Sequence, residues 1–175
     1  MNKIYTISNI LSISRAVLAI PLFFAFYFDK TIWVLILTGI AIITDVLDGY
    51  LARKLNQVTE YGKIFDPLAD KVFVSVAVIM YIFKNLIPLW FAISIFTRDI
   101  LILIGGLYAK KKLKYVIPSD YLGKFSVILL TITLILSLFK LGNITNIFIY
   151  LTTLMLIISF FNYLYRMLKM VGSKK

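Results

Sequence analysis

Apolar stretches of about twenty residues follow one another along this chain with only brief polar interruptions. A helix needs roughly 20 apolar residues to span the hydrocarbon of a bilayer. Six stretches come near that length: about 7–28, 31–52, 66–83, 87–108, 120–139 and 145–167. With 61% apolar and 15% charged residues in a chain of 175, little remains for a soluble domain. The expected architecture is an all-α integral membrane protein, a six-transmembrane-helix bundle forming one domain over residues 1–175. The first stretch lacks a small-residue cleavage site ahead of it and is expected to stay in place as a span. Pro88 and Pro118 sit where helices should start, Gly142-Asn143 should turn the chain between the last two spans, and Pro21 should kink the first or mark a packing contact.

The net charge of +11 divides by loop. One side receives Lys3, Arg15, Arg53, Lys54, Lys63, Lys110, Lys111, Lys112, Lys114, Arg166, Lys169, Lys174 and Lys175, and the other little beyond Lys30, Lys84 and Lys140. By the positive-inside rule both termini are cytoplasmic. The cations are therefore largely topological, with the Lys110 to Lys114 cluster drawn to anionic lipid heads, and nucleic acid is not an expected partner. Neither Cys nor His occurs, which excludes thiol nucleophiles, imidazole bases and the usual zinc sites.

Carboxylates inside apolar spans are expensive and usually face a cavity, a partner or an ion. Four of the eight acids fall together: Asp45 and Asp48 near the end of the second span, and Asp66 and Asp70 at the start of the third. Spacings of three and four place each pair on one helix face. Their repulsion calls for counter-charge, and hard oxygen ligands without His or Cys point to Mg²⁺, Mn²⁺ or Ca²⁺. Lys63 and Lys71 could offset part of it. Gly49, Ala52 and Gly62 lie among the acids, where small residues admit either a neighbouring helix or a flat ligand.

The spacing Asp45-x2-Asp48-Gly49-x2-Ala52-Arg53-x8-Gly62-x3-Asp66-x3-Asp70 resembles, in every fixed position, the signature of the CDP-alcohol phosphatidyltransferase family. A weaker echo is Ser8-Asn9-Ile10-Leu11-Ser12-Ile13-Ser14-Arg15, similar to the Pro-Asn-x-Leu-Thr-x-x-Arg entry to the first span in many members, with Ser8 for Pro and Ser12 for Thr. The resemblance implies displacement at the β-phosphorus of CDP-diacylglycerol by an alcohol, with release of CMP. It implies that Asp45, Asp48, Asp66 and Asp70 bind two divalent cations, Mg²⁺ or Mn²⁺, that Asp70 is also the general base, and that Gly49, Ala52 and Gly62 make room for the cytidine. Arg53 would contact the phosphates and Thr44 would add a hydroxyl. For Arg53 a purely topological role at a helix end is the other reading.

Acceptor choice rests on other residues. Arg98 lies mid-span, where an arginine is costly unless it lines a polar cavity; Asp99 points about 100° away on a helix and should be a poor direct partner. Lys124, in Gly123-Lys124-Phe125-Ser126, resembles the Gly-Lys-x-x-Thr element of glycerophosphate-using members, with Ser126 one position short of the hydroxyl. Arg98 and Lys124, with Lys110 or Lys111, would suit a small phosphorylated alcohol, and glycerol 3-phosphate is the expected acceptor. Arg98-Asp99, in place of Arg-Glu, looks closer to the cardiolipin-synthase branch, whose acceptor is phosphatidylglycerol. Gly106-Leu107-Tyr108, in place of Gly-Leu-Arg, is a second departure from the glycerophosphate class.

Two other classes compete. An ion or metal transporter would spread acids through the membrane depth, whereas here they gather at one face. A non-catalytic lipid-binding protein would tolerate loss of an aspartate. The expected setting is a prokaryotic plasma membrane, with the site facing the cytoplasm, membrane lipids around the helices and a homodimer as the assembly.

Overall fold

The computed structural model describes residues 7–54, 62–113 and 120–172, with side chains throughout except at 7–10, 12, 48–54, 62–70, 110, 111, 113 and 172. The described residues fold into six helices and no strand: α1 Ile7–Tyr27, α2 Thr31–Lys54, α3 Gly62–Phe83, α4 Leu89–Leu113, α5 Tyr121–Leu138 and α6 Asn143–Gly172. Three contain segments long and apolar enough to cross a membrane: Leu89–Ala109, Tyr121–Leu138 and Asn143–Val171. The apolar segments Ile13–Tyr27, Thr31–Leu47 and Lys71–Phe83, in the first three helices, are shorter. Large apolar side chains such as Ile32, Phe83, Leu107 and Phe161 stand exposed on the helix surfaces, as lipid-facing positions require.

The ends of the helices fall where short polar residues interrupt the apolar runs. Asp29, Asn85 and Lys140 adopt left-handed backbone at φ 53–54°. After α1, Asp29 N–H donates to Phe26 O and Lys30 N–H to Ala25 O; after α5, Lys140 N–H donates to Ser137 O and Leu141 N–H to Leu136 O. Both sets are Schellman closures, which satisfy the last carbonyls of a helix. Asp and Asn tolerate this conformation better than most residues, whereas Lys140 adopts it without that advantage. Pro21 does not break α1, and lines a groove with Phe24, Ala25, Phe28, Lys30, Trp33 and Leu37. Pro88 immediately precedes α4 as expected, and Pro118 lies outside the described residues.

The contacts divide the chain into two units, Met1–Asn85 and Leu86–Lys175. In the first, α1 packs against both α2 and α3. Its core comprises Ala19, Leu22, Ala25 and Phe26 of α1, Val34, Leu37 and Ala41 of α2, and Phe73, Val78, Met80 and Tyr81 of α3. Phe26 and Tyr81 meet edge to face at 5.0 Å between centroids. Lys84 ties the α1–α2 turn to the end of α3 through Asp29 Oδ1 at 2.7 Å and Tyr27 O at 3.2 Å.

In the second unit, α6 packs against both α4 and α5. Gly105 and Gly106 permit close approach of α4 and α6: a Cβ on Gly105 would stand 3.2 Å from Tyr163 Cε1 and 3.3 Å from Met167 Sδ. Between α5 and α6 runs a buried seam of hydroxyls. Thr133 Oγ1 and Thr152 Oγ1 are 2.6 Å apart and Thr145 Oγ1 donates to Leu136 O at 3.3 Å, while Ser137 Oγ of α5 donates to Leu86 O in the stretch before α4. With no water to compete, such bonds join apolar helices where side-chain hydrophobicity alone discriminates poorly.

Candidate active site

The acidic signature lies on helices. Asp45, Asp48, Gly49, Ala52 and Arg53 belong to α2, and Gly62, Asp66 and Asp70 to α3, so each aspartate pair has the same-face spacing expected of it. The side chains of Asp48, Gly49, Ala52, Arg53, Gly62, Asp66 and Asp70 are outside the described residues, as is the convergence of the two pairs. Among the described residues no three His, Cys, Asp or Glu side chains gather.

Asp45 is described in full. Its carboxylate is 58% exposed, and its Oδ1 accepts a hydrogen bond of 2.9 Å from Nη1 of Arg15, a side chain of α1 that is only 4% exposed. No described residue engages Oδ2. Arg15, expected as a cation of the basic side and as the last residue of the motif that opens the first span, is thus a buried partner of Asp45. Thr44, one residue before Asp45, turns its hydroxyl back on its own helix, with Ile40 O and Ala41 O each at 2.9 Å. A donor so placed competes with the backbone, and only its lone pairs remain for a ligand.

The donor set suits a divalent cation of the Mg²⁺ or Mn²⁺ kind. Every acidic candidate offers hard carboxylate oxygens, the chain has neither Cys nor His to divert the choice, and Asp45 has one oxygen that no described residue engages.

The second unit holds its own polar cluster, built around the start of α5. Asp120 caps that helix: its Oδ1 accepts from Gly123 N–H at 2.9 Å and its Oδ2 accepts from Asn162 Nδ2, with Arg166 Nη1 3.9 Å away. Arg98 reaches from α4, its Nη2 donating to Ser159 Oγ at 3.1 Å and to Ser126 Oγ at 3.4 Å. Gly123 sits between these groups, since a Cβ there would lie 3.0 Å from Asp120 Oδ1 and about 4.0 Å from Arg98 Nη2. Among the described residues, Arg98 Nε and Arg166 Nη1 are buried donors without a hydrogen-bond partner.

One expectation is corrected. Arg98 Nη1 donates to Asp99 Oδ1 at 3.0 Å, so the adjacent acid is its direct partner despite the 100° between them. Arg98 and Asp99 are 15% and 20% exposed, and at that burial the cost of parting two charges outweighs the cost of curling a long side chain around its own helix. Lys124 is exposed in the first turn of α5, apart from the hydrogen bonds of Arg98; Lys110 and Lys111 lie on α4 with side chains outside the described residues. Ser159, Asn162, Asp120 and Arg166 were not expected here. The signal existed: Thr145, Thr152, Ser159 and Arg166 recur every seventh residue along an otherwise apolar helix, the spacing of a single polar stripe.

The model of the CDP-alcohol phosphatidyltransferase family matches residues 5–160. A CDP-diacylglycerol–glycerol-3-phosphate 3-phosphatidyltransferase of Aquifex aeolicus is 35% identical over 94% of this chain and 97% of its own length. A Bacillus subtilis protein of the same name is 53% identical over 37% of this chain and 33% of its own. A cardiolipin synthase (CMP-forming) of Streptomyces coelicolor is 28% identical over 59% of this chain and 51% of its own.

Proposed function

This chain belongs to the CDP-alcohol phosphatidyltransferase family, and from that premise we propose that it transfers the phosphatidyl group of CDP-diacylglycerol to glycerol 3-phosphate, giving phosphatidylglycerophosphate and CMP. The observation that carries the choice of acceptor is the near-complete alignment with the Aquifex aeolicus protein of that name. Arg98 and Arg166, each with a buried N–H that no described residue accepts in a hydrogen bond, stand beside the start of α5 and support it, because a phosphate could accept from such donors.

Asp45, Asp48, Asp66 and Asp70 would hold two divalent cations. When bound, these supply positive charge to the pyrophosphate and to the attacking and leaving oxygens. Asp70 takes the proton of the acceptor hydroxyl. The acceptor oxygen bonds to the β-phosphorus while the bond from that phosphorus to the bridging oxygen breaks, and the electron pair leaves with CMP. An aspartate of ordinary pKa is a weak base for an alcohol, so alignment and fixed charge carry much of the rate. Arg53 contacts the phosphates, Thr44 lends lone pairs, and Gly49, Ala52 and Gly62 leave room for the cytidine. Arg98, Arg166 and Lys124, with Lys110 or Lys111 adding field, attract the acceptor phosphate.

The same reading makes residues 1–175 one six-span membrane domain, with both termini and the site on the cytoplasmic side of a prokaryotic plasma membrane, lipid around the helices and a homodimer as the assembly. The shorter apolar segments of α1–α3 are compatible with spanning, because each belongs to a helix of 21–24 residues, about 30 Å or more at 1.5 Å per residue. A second reading, cardiolipin synthesis with phosphatidylglycerol as acceptor, draws on the Streptomyces coelicolor relative and on Arg98-Asp99.

The test supplies purified protein in lipid with CDP-diacylglycerol and Mg²⁺ or Mn²⁺, and offers glycerol 3-phosphate, phosphatidylglycerol, inositol phosphate and serine in parallel. CMP release confined to glycerol 3-phosphate is expected. Release confined to phosphatidylglycerol would move the chain to the second reading.

A further inference from the structure

We propose that Arg15 is a positioning residue for the acidic site: its buried guanidinium fixes the Asp45 carboxylate by one oxygen and leaves the other to a divalent cation. The inference deepens the reading above, since it rests on Asp45 being a metal ligand.

The two partners are unequal. Arg15 is 3% exposed, on the α1 stripe that also buries Ala19, Leu22 and Phe26, and a cation among such neighbours is costly unless a partner compensates it. Its partner on α2, thirty positions along the chain, is by contrast more than half exposed. An ion pair exposed at both ends contributes little, because two long side chains must be ordered in water. Here packing has already ordered the cation. The pair's effect therefore falls on the carboxylate, whose rotamer is set by a donor that cannot follow it into solvent.

The bond also divides the carboxylate's work. Oδ1 is held by Arg15 at 2.9 Å, while Oδ2 is engaged by no described residue. A ligating carboxylate with one oxygen hydrogen-bonded and the other presented is the arrangement through which outer partners tune metal sites, and loss of such a partner typically costs about 10–100-fold in affinity. Arg15 also supplies one positive charge to the aspartates before any cation arrives.

The experiment titrates Mn²⁺ into the full chain in lipid nanodiscs and follows free Mn²⁺ by electron paramagnetic resonance. It compares the unaltered protein with Arg15→Met, Arg15→Lys, Asp45→Asn and the two double variants. Arg15→Met is expected to weaken Mn²⁺ binding about 10–100-fold, and Arg15→Lys to recover part of it, because an ammonium can still donate to one oxygen. In the Asp45→Asn background neither change should cost anything further. Binding by Arg15→Met as tight as before or tighter, with Asp45→Asn weakened, would overturn the proposal alone and make Arg15 a competitor or a structural cation. Unchanged binding by Asp45→Asn would overturn the assignment of Asp45 as a ligand, and the proposal with it. Should Arg15→Met fail to fold, Arg15→Lys decides: a loss that vanishes in the Asp45→Asn background supports positioning, and no loss or an additive one overturns it.

Discussion

At the scale of single residues, the buried cations carry the most information. Arg98 spends Nη1 on Asp99 and Nη2 on Ser126 and Ser159, and keeps Nε buried with no hydrogen-bond partner among the described residues. If it also attracts the acceptor phosphate, Arg98→Ala raises the KM for glycerol 3-phosphate by about tenfold or more. The KM for CDP-diacylglycerol should stay near its original value. Steady-state kinetics with each substrate varied in turn separate the two, and equal increases would return Arg98 to a structural part. Asp70→Asn tests a different role: turnover should vanish while thermal unfolding is unchanged, and appreciable residual CMP release would remove Asp70 from the position of base.

At the scale of elements, the packing of α6 governs the second unit. The Thr133–Thr152 bond is buried on both sides, and Thr133→Val keeps the shape while deleting the hydroxyl. The expected loss is about 0.6–2 kcal/mol, the range for interhelical hydrogen bonds in membranes, measured by reversible unfolding in mixed micelles. Gly105→Ile should cost about 1–3 kcal/mol through overpacking, because its first side-chain atom already crowds Tyr163 and Met167. That exceeds any gain in helix propensity, which is below about 1 kcal/mol.

Helix positions were legible because apolar length and short polar interruptions have one interpretation at membrane thickness. The expected ends at 28, 83 and 139 fall within a residue of the ends of α1, α3 and α5. The pairing of elements was not legible. Nothing in the first span says that α1 touches both α2 and α3, and so nothing says that Arg15 meets Asp45. The aspartate signature was readable because its spacing is fixed by chemistry. Ser159 and Arg166 lay on a readable polar stripe, whereas Asp120 and Asn162 were not legible, because they stand off that stripe and acquire meaning only when α6 lies beside the start of α5.

At the scale of the whole molecule, the loop charges give the chain its expected orientation. Because no cysteine occurs, single cysteines report cleanly on it. In intact cells, Asp29→Cys and Lys140→Cys should react with a membrane-impermeant maleimide, and Ser173→Cys should not until the membrane is opened. The reverse pattern would turn the site outward, away from cytoplasmic CDP-diacylglycerol and glycerol 3-phosphate. The central claim is that two neighbouring stretches of helix gather four aspartates around bound cations. Anomalous diffraction from crystals grown in lipid with saturating Mn²⁺ tests it most directly. Two peaks about 4 Å apart, each within bonding distance of oxygens from Asp45, Asp48, Asp66 or Asp70, are the expected result. Carboxylates turned away from one another, with no peak between α2 and α3, would contradict it.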